Sequence, residues 1–150
     1  MKTNLTIIKS VFLLDDNPFG LEVYEKHLVN MGVAKVQLFE DSQDFINHLI
    51  DEPDVVIIDH SMAPFNGIEV LNKIKRYNPD IPVIYLSAQK DMKTAIDALK
   101  YGAFDYIIKD DDDLDNLSEV ISRVDKYLKE IQLRSKRSFV GILSSITKLF

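Results

Sequence analysis

The stretch SVFLLDDNPFG, residues 10–20, runs four apolar residues, Val11 to Leu14, straight into two adjacent acids, Asp15 and Asp16, and then Asn17-Pro18. A run that is apolar at consecutive positions suits a strand covered on both faces, which implies a parallel sheet with helices on each side. Asn17 and Pro18 read as the N-cap and first-turn proline of a following helix, which Gly32 closes. Packing does not explain two carboxylates at the end of a buried strand. The rest of the chain supplies the context.

Four more runs of the same kind follow: VQLF (36–39), VVII (55–58), VIYL (83–86) and YII (106–108). Between them lie segments of helical period. The spacing predicts helices over 42–50, opened by Asp41 or Ser42, over Gly67 to Tyr77, and over Met92 to Tyr101 with Gly102 as a left-handed cap. A fifth helix, with Asp112 as its preferred N-cap, carries Leu114, Leu117, Val120, Ile121, Val124 and Leu128 on one stripe. The order is (βα)5, and right-handed crossovers turn it into a doubly wound α/β sandwich. Ligands of such sheets bind beyond the carboxyl ends of the strands.

Composition narrows the partners. The 150 residues are 46% hydrophobic and carry a net charge of −6. Residues 131–150 contain Arg134, Lys136, Arg137 and Lys148 and no acid, so the first 130 residues stand at −10. So acidic a body argues against direct nucleic-acid binding, which needs clustered Lys and Arg on phosphates. There is no cysteine for a disulfide or thiolate metal site. The semi-apolar N-terminal stretch is too short for a signal peptide, and the expected location is cytoplasmic.

The residues that follow the strands share one edge: Asp15 and Asp16 after the first, Asp59 after the third, Ser87 after the fourth and Lys109 after the fifth. Three converging carboxylates repel unless a cation neutralises them, and Mg²⁺ is the hard, oxygen-loving ion that takes a few carboxylates and keeps exchangeable waters. Lys109 and Ser87 add a positive charge and a hydroxyl, which with a metal and an in-line nucleophile is what phosphoryl transfer requires. Asp59, ending the central strand, is the natural nucleophile.

VFLLDD, PDVVIIDHSMAPFNG, IPVIYLSA and ALKYGAFDYIIKD, in this order and spacing, resemble the receiver domain of two-component response regulators over about residues 9–130. The resemblance implies a flavodoxin-like sheet of order 2-1-3-4-5 and a regulatory phosphoprotein, not an enzyme in its own right. It implies Asp59 as phospho-acceptor, and Mg²⁺ held by Asp16 directly, by Asp15 mainly through water, by Asp59 and by the backbone carbonyl of Ser61. It further implies Ser87 and Lys109 as phosphoryl contacts, Tyr106 as an aromatic switch partnered with Ser87, and a face of helix 4, strand 5 and helix 5 that changes with phosphorylation. The implied donor is a histidine kinase or phosphotransfer protein; the output partner is open.

Two residues depart from the family pattern. Asp110 stands where proline usually follows the lysine through a cis bond, and a non-proline cis bond costs about 3–4 kcal/mol, so Lys109-Asp110 is expected to be trans or strained. Ala63 takes the usual proline position, with Pro64 one later. Two rival readings use the same residues: a scaffold receiver that is never phosphorylated, and a phosphatase of the haloacid dehalogenase type. The second wants an Asp two residues after the nucleophile, where Ser61 stands.

His27 and His48 read as helix-surface residues, while His60 adjoins the acceptor. In the tail, residues 131–150, Phe139, Ile142, Leu143, Ile146, Leu149 and Phe150 fall on one helical face. The expectation is a helix packed on protein: the chain's own body as a sixth helix, or a partner or second copy, with membrane contact the least favoured.

Overall fold

A computed structural model describes residues 4–88 and 90–149. Its strands are β1 (Ser10–Leu14), β2 (Lys35–Phe39), β3 (Val55–Asp59), β4 (Val83–Ser87) and β5 (Asp105–Ile108), all parallel in the order β2-β1-β3-β4-β5. The helices are α1 (Pro18–Asn30), α2 (Ser42–Asn47), α3 (Gly67–Tyr77), α4 (Met92–Lys100) and α5 (Asp113–Thr147). This is the doubly wound α/β sandwich expected from the alternation of apolar runs and helical segments.

Strand pleating sorts the core into two layers. Val11 and Leu13 of β1, with Ile57 and Ile84, pack under α1 and α5 against Leu21, Leu28, Leu117 and Ile121. Phe12 and Leu14, with Ile58 and Tyr85, pack on the other face against α2 and α3 through Phe45, Leu71 and Ile74. The inner strands β1, β3 and β4 are apolar at consecutive positions because nearly every position meets a helix layer, whereas the edge strands β2 and β5 are only partly covered.

Caps set where helices begin and end. Asn17 Oδ1 accepts from the backbone N–H groups of Phe19 and Gly20, and Asn66 with Glu69 forms a reciprocal capping box on α3. Gly32 and Gly102 leave α1 and α4 at φ +103° and +102°, a region that suits glycine.

Three expectations change. The segment 42–50 is not one helix: α2 ends at Asn47 and a single 3-10 turn, Leu49–Asp51, follows. Asp112 holds the N-cap position of α5 without a side-chain cap bond, its own N–H instead donating to Asp110 Oδ1 at 2.9 Å. The tail is not a sixth helix on the body. Helix α5 continues unbroken to Thr147, and residues 131–149 are exposed. Phe150 lies outside the described residues.

His27 also departs from a simple surface role, since its Nε2 lies 2.7 Å from Ser118 Oγ and ties α1 to α5. Tyr24 does the same one turn earlier, donating to Asp113 Oδ2 at 2.6 Å.

Candidate functional site

The carboxyl ends of β1, β3, β4 and β5 bring the expected residues to one edge. Asp15 follows β1 and is buried; its backbone N–H donates to Phe39 O at 3.0 Å, so its position is held by the sheet. Asp59 is the last residue of β3 and is also buried, while Asp16, one step further into the β1–α1 loop, is exposed. Carboxylate oxygens of Asp15, Asp16 and Asp59 all lie within 4.8 Å of one another.

Lys109 supplies the positive charge. Its Nζ is 2.7 Å from Asp15 Oδ2 and 3.0 Å from Asp59 Oδ1. Its backbone N–H donates to Ser87 O at 2.9 Å, continuing the ladder by which Ser87 pairs with Ile108. Burial works against the Lys109 charge, but the Asp15 hydrogen bond and the nearby charges of Asp59 and Asp15 outweigh it and hold its pKa above the ordinary lysine value. The only cis peptide bond among the described residues is Ala63-Pro64, so Lys109-Asp110 is trans and the lysine still reaches both acids.

Asp16 shows the cost of the crowding. Partial desolvation, then the charges of Asp15 and Asp59, raise its pKa above the ordinary aspartate value, with Lys109 opposing. Lys109 bridges Asp15 and Asp59, and the three carboxylates still carry two more charges than that one cation offsets. Three carboxylates at this spacing, one of them facing solvent, suit a hard divalent cation with oxygen ligands and retained waters.

The loop after β3 is drawn in tightly. Ser61 N–H donates to Asp59 Oδ2 at 3.1 Å, and Gly67 N–H donates to His60 O at 2.9 Å. A Cβ on Gly67 would fall 2.5 Å from the Tyr85 hydroxyl and 2.8 Å from Asp59 O, so only glycine lets α3 start there. Ser87 is buried at the end of β4, and Tyr106, half-buried on β5, stacks on Tyr85 with ring centroids 5.7 Å apart at 14°.

Tyr85 and His60 are the site neighbours that the sequence left without a role together. The Tyr85 hydroxyl is hydrogen-bonded to His60 Nδ1, and burial, followed by the charges of Tyr106 and Asp59, pushes its pKa up. His60 next to Asp59 was one visible sign, and a tyrosine two residues before Ser87 another; their pairing across 25 residues was not.

The arrangement has known counterparts. The response regulator receiver domain model matches residues 11–122. The regulatory protein AtoC of Escherichia coli is 33% identical over 128 residues, covering 79% of this chain and 26% of its own length. The DNA-binding transcriptional regulator NtrC of Proteus hauseri is 30% identical, covering 93% of this chain and 29% of its own. This chain therefore spans under a third of either relative. A receiver-domain crystal structure from Clostridium thermocellum matches with a TM-score of 0.76 at 28% identity, covering 83% of this chain and 99% of that one. With its fold, its acid–lysine edge and a family match over most of its length in agreement, the chain belongs to the response regulator receiver domain family.

Proposed function

We propose that Asp59 accepts a phosphoryl group from the phosphohistidine of a histidine kinase or phosphotransfer protein. An Asp59 carboxylate oxygen attacks phosphorus, the P–N bond breaks, and the imidazole leaves with the bonding pair. The observation that carries this reading is Lys109 Nζ held between Asp15 and Asp59, at 2.7 and 3.0 Å, beside a third carboxylate. A lysine so placed exchanges its Asp59 contact for a phosphoryl oxygen with little movement, and neutralises charge as that oxygen arrives.

Asp15, Asp16, Asp59 and the Ser61 carbonyl are the residues that would hold Mg²⁺. When bound, the ion supplies charge neutralisation on the phosphoryl oxygens. Ser87, at the end of β4, donates its hydroxyl to the phosphoryl group. Tyr106, on the neighbouring strand in register one step before the Leu86–Ile107 pair, follows Ser87 inward. The signal then passes through the face of α4, β5 and α5 to an output partner. The chemistry belongs to a regulatory phosphoprotein that assists its own phosphorylation and dephosphorylation.

Incubation with acetyl phosphate and Mg²⁺, followed by intact mass, tests the reading. A single labile adduct is expected, absent in Asp59→Asn although that variant folds. An unmodified wild-type chain would favour the scaffold, and turnover of many equivalents a phosphatase.

A further inference from the structure

Helix α5 has two halves that share one face. A continuous α-helix returns to the same azimuth every eighteen residues, or five turns. Ile121 and Phe139, Val124 and Ile142, Leu128 and Ile146, and Ile131 and Leu149 are four pairs at that separation. The first members run down the body: Ile121 and Val124 are fully buried, Leu128 packs on the core, and Ile131 lines a depression with Pro53 and Pro82 at the amino edge of the sheet. Their counterparts hang beyond that edge with Phe139 61%, Ile142 56%, Ile146 46% and Leu149 80% exposed. Among the described residues, the overhang repeats the body-facing stripe with no body beneath it.

We propose that this overhanging face is a self-association surface on which two copies of the chain pair their α5 ends antiparallel, Phe139 opposite the second copy's Leu149 and Ile142 opposite its Ile146. The geometry selects the occupant. Because the stripe lies on the side of α5 that the body occupies, a parallel pair sealed along it would drive two bodies into one space. A flat membrane touching the stripe would cut through the body for the same reason. An antiparallel pair places the bodies at opposite ends, on opposite sides, without conflict.

Charge permits the pairing. Arg134, Arg137 and Lys148 lie roughly 140–180° around the helix from Phe139, on the outer side of such a pair, and only Lys136 flanks the seam. Ten side chains, Phe139, Ile142, Leu143, Ile146 and Leu149 from each copy, would bury roughly 1,000 Å², the lower limit for a specific contact, so a weak dimer is expected.

The test uses the full chain. Sedimentation velocity from roughly 1 to 100 µM, a range set by a contact of that size, should show a concentration-dependent dimer. Ile142→Asp with Ile146→Asp should leave a monomer whose thermal unfolding matches the wild type at the dilute end of that range, where the wild type is itself monomeric, since neither residue is buried in the body. The chain lacks cysteine, so Ser135→Cys carries a single nitroxide. Two labels should lie roughly 27 Å apart along the axis in the antiparallel pair, against about 10 Å in a parallel one. A monomer at every concentration, a dimer that survives the double substitution, a short label separation, or a monomer that binds phosphatidylglycerol vesicles through the same residues would each overturn the proposal.

Discussion

Two ends of the sheet each bury aspartate, and they treat it in opposite ways. At the amino edge, Asp125 of α5 accepts from Thr6 N–H, Thr6 Oγ–H, Ile7 N–H and Ile8 N–H, at 2.8 to 3.2 Å. Nearby Asp54 Oδ2 accepts from the N–H groups of Lys9 and Ser10, both at 2.9 Å. At the carboxyl edge, Asp15, Asp16 and Asp59 crowd within 4.8 Å and Asp15 and Asp59 share one lysine. Fixed neutral donors make a charge structural, because nothing is left for a ligand to satisfy. Acids gathered around one movable cation keep capacity to bind another group. The difference separates an anchor from a cluster that could hold a cation more sharply than burial does, since Asp15, Asp59 and Asp125 are all buried.

The largest effect expected from breaking this contrast is at the anchor. Asp125→Ala leaves several backbone N–H groups of residues 6–8 without their acceptor and should cost about 2–4 kcal/mol in denaturant unfolding, with or without Mg²⁺. Burial alone would raise the Asp125 pKa, but the N–H bonds from Ile8, Thr6 and Ile7 outweigh it and hold it below the ordinary value. A depressed folded pKa gives stability that is complete above the unfolded value and is lost as pH falls from there through the folded one. Asp125→Asn should flatten that acid limb of the stability curve.

At the carboxyl edge the effects are smaller, and their sign depends on the ion. Asp16→Asn should weaken Mg²⁺ binding by roughly tenfold, about 1.4 kcal/mol, and Asp15→Asn by less, measured by calorimetry or amide shifts because the chain has no tryptophan. Equal losses would remove the division between direct and water-mediated ligand. Without Mg²⁺, Asp16→Asn should stabilise the fold by a few tenths of a kcal/mol, the scale of an exposed charge. The linkage runs opposite to that of Asp125. The folded Asp16 pKa is raised, so its penalty is absent below the ordinary aspartate value and sets in as pH rises from there through the folded one.

How much of this was legible in the sequence follows from range. Asp15, Asp16, Asp59, Ser87 and Lys109 could be read because each directly follows an apolar run, and a doubly wound sheet gathers such residues at one edge. Asp125 left only a faint mark: it stands four residues after Ile121, a lone acid on the margin of an apolar stripe, and its partners lie 117 to 119 residues away. His60 with Tyr85 and His27 with Ser118 were hidden for the same reason, since local pattern does not record which side chains meet across a fold. In the tail the expected helix forms, and only its packing on the chain's own body does not. Its helical period was plain, but a stripe tells which face is apolar and not whether protein lies beneath it, and α5 runs past the sheet edge.

The central claim is that the carboxyl-edge acids are arranged for phosphoryl chemistry and the amino-edge acid is not. Borohydride reduction of the acetyl-phosphate-treated chain converts an aspartyl phosphate to homoserine, which peptide mass mapping assigns to a residue. The account predicts homoserine at position 59 alone when Mg²⁺ is present and none when the ion is chelated. Homoserine at 15, 16 or 125 in comparable yield, or labelling of Asp59 indifferent to Mg²⁺, would contradict it.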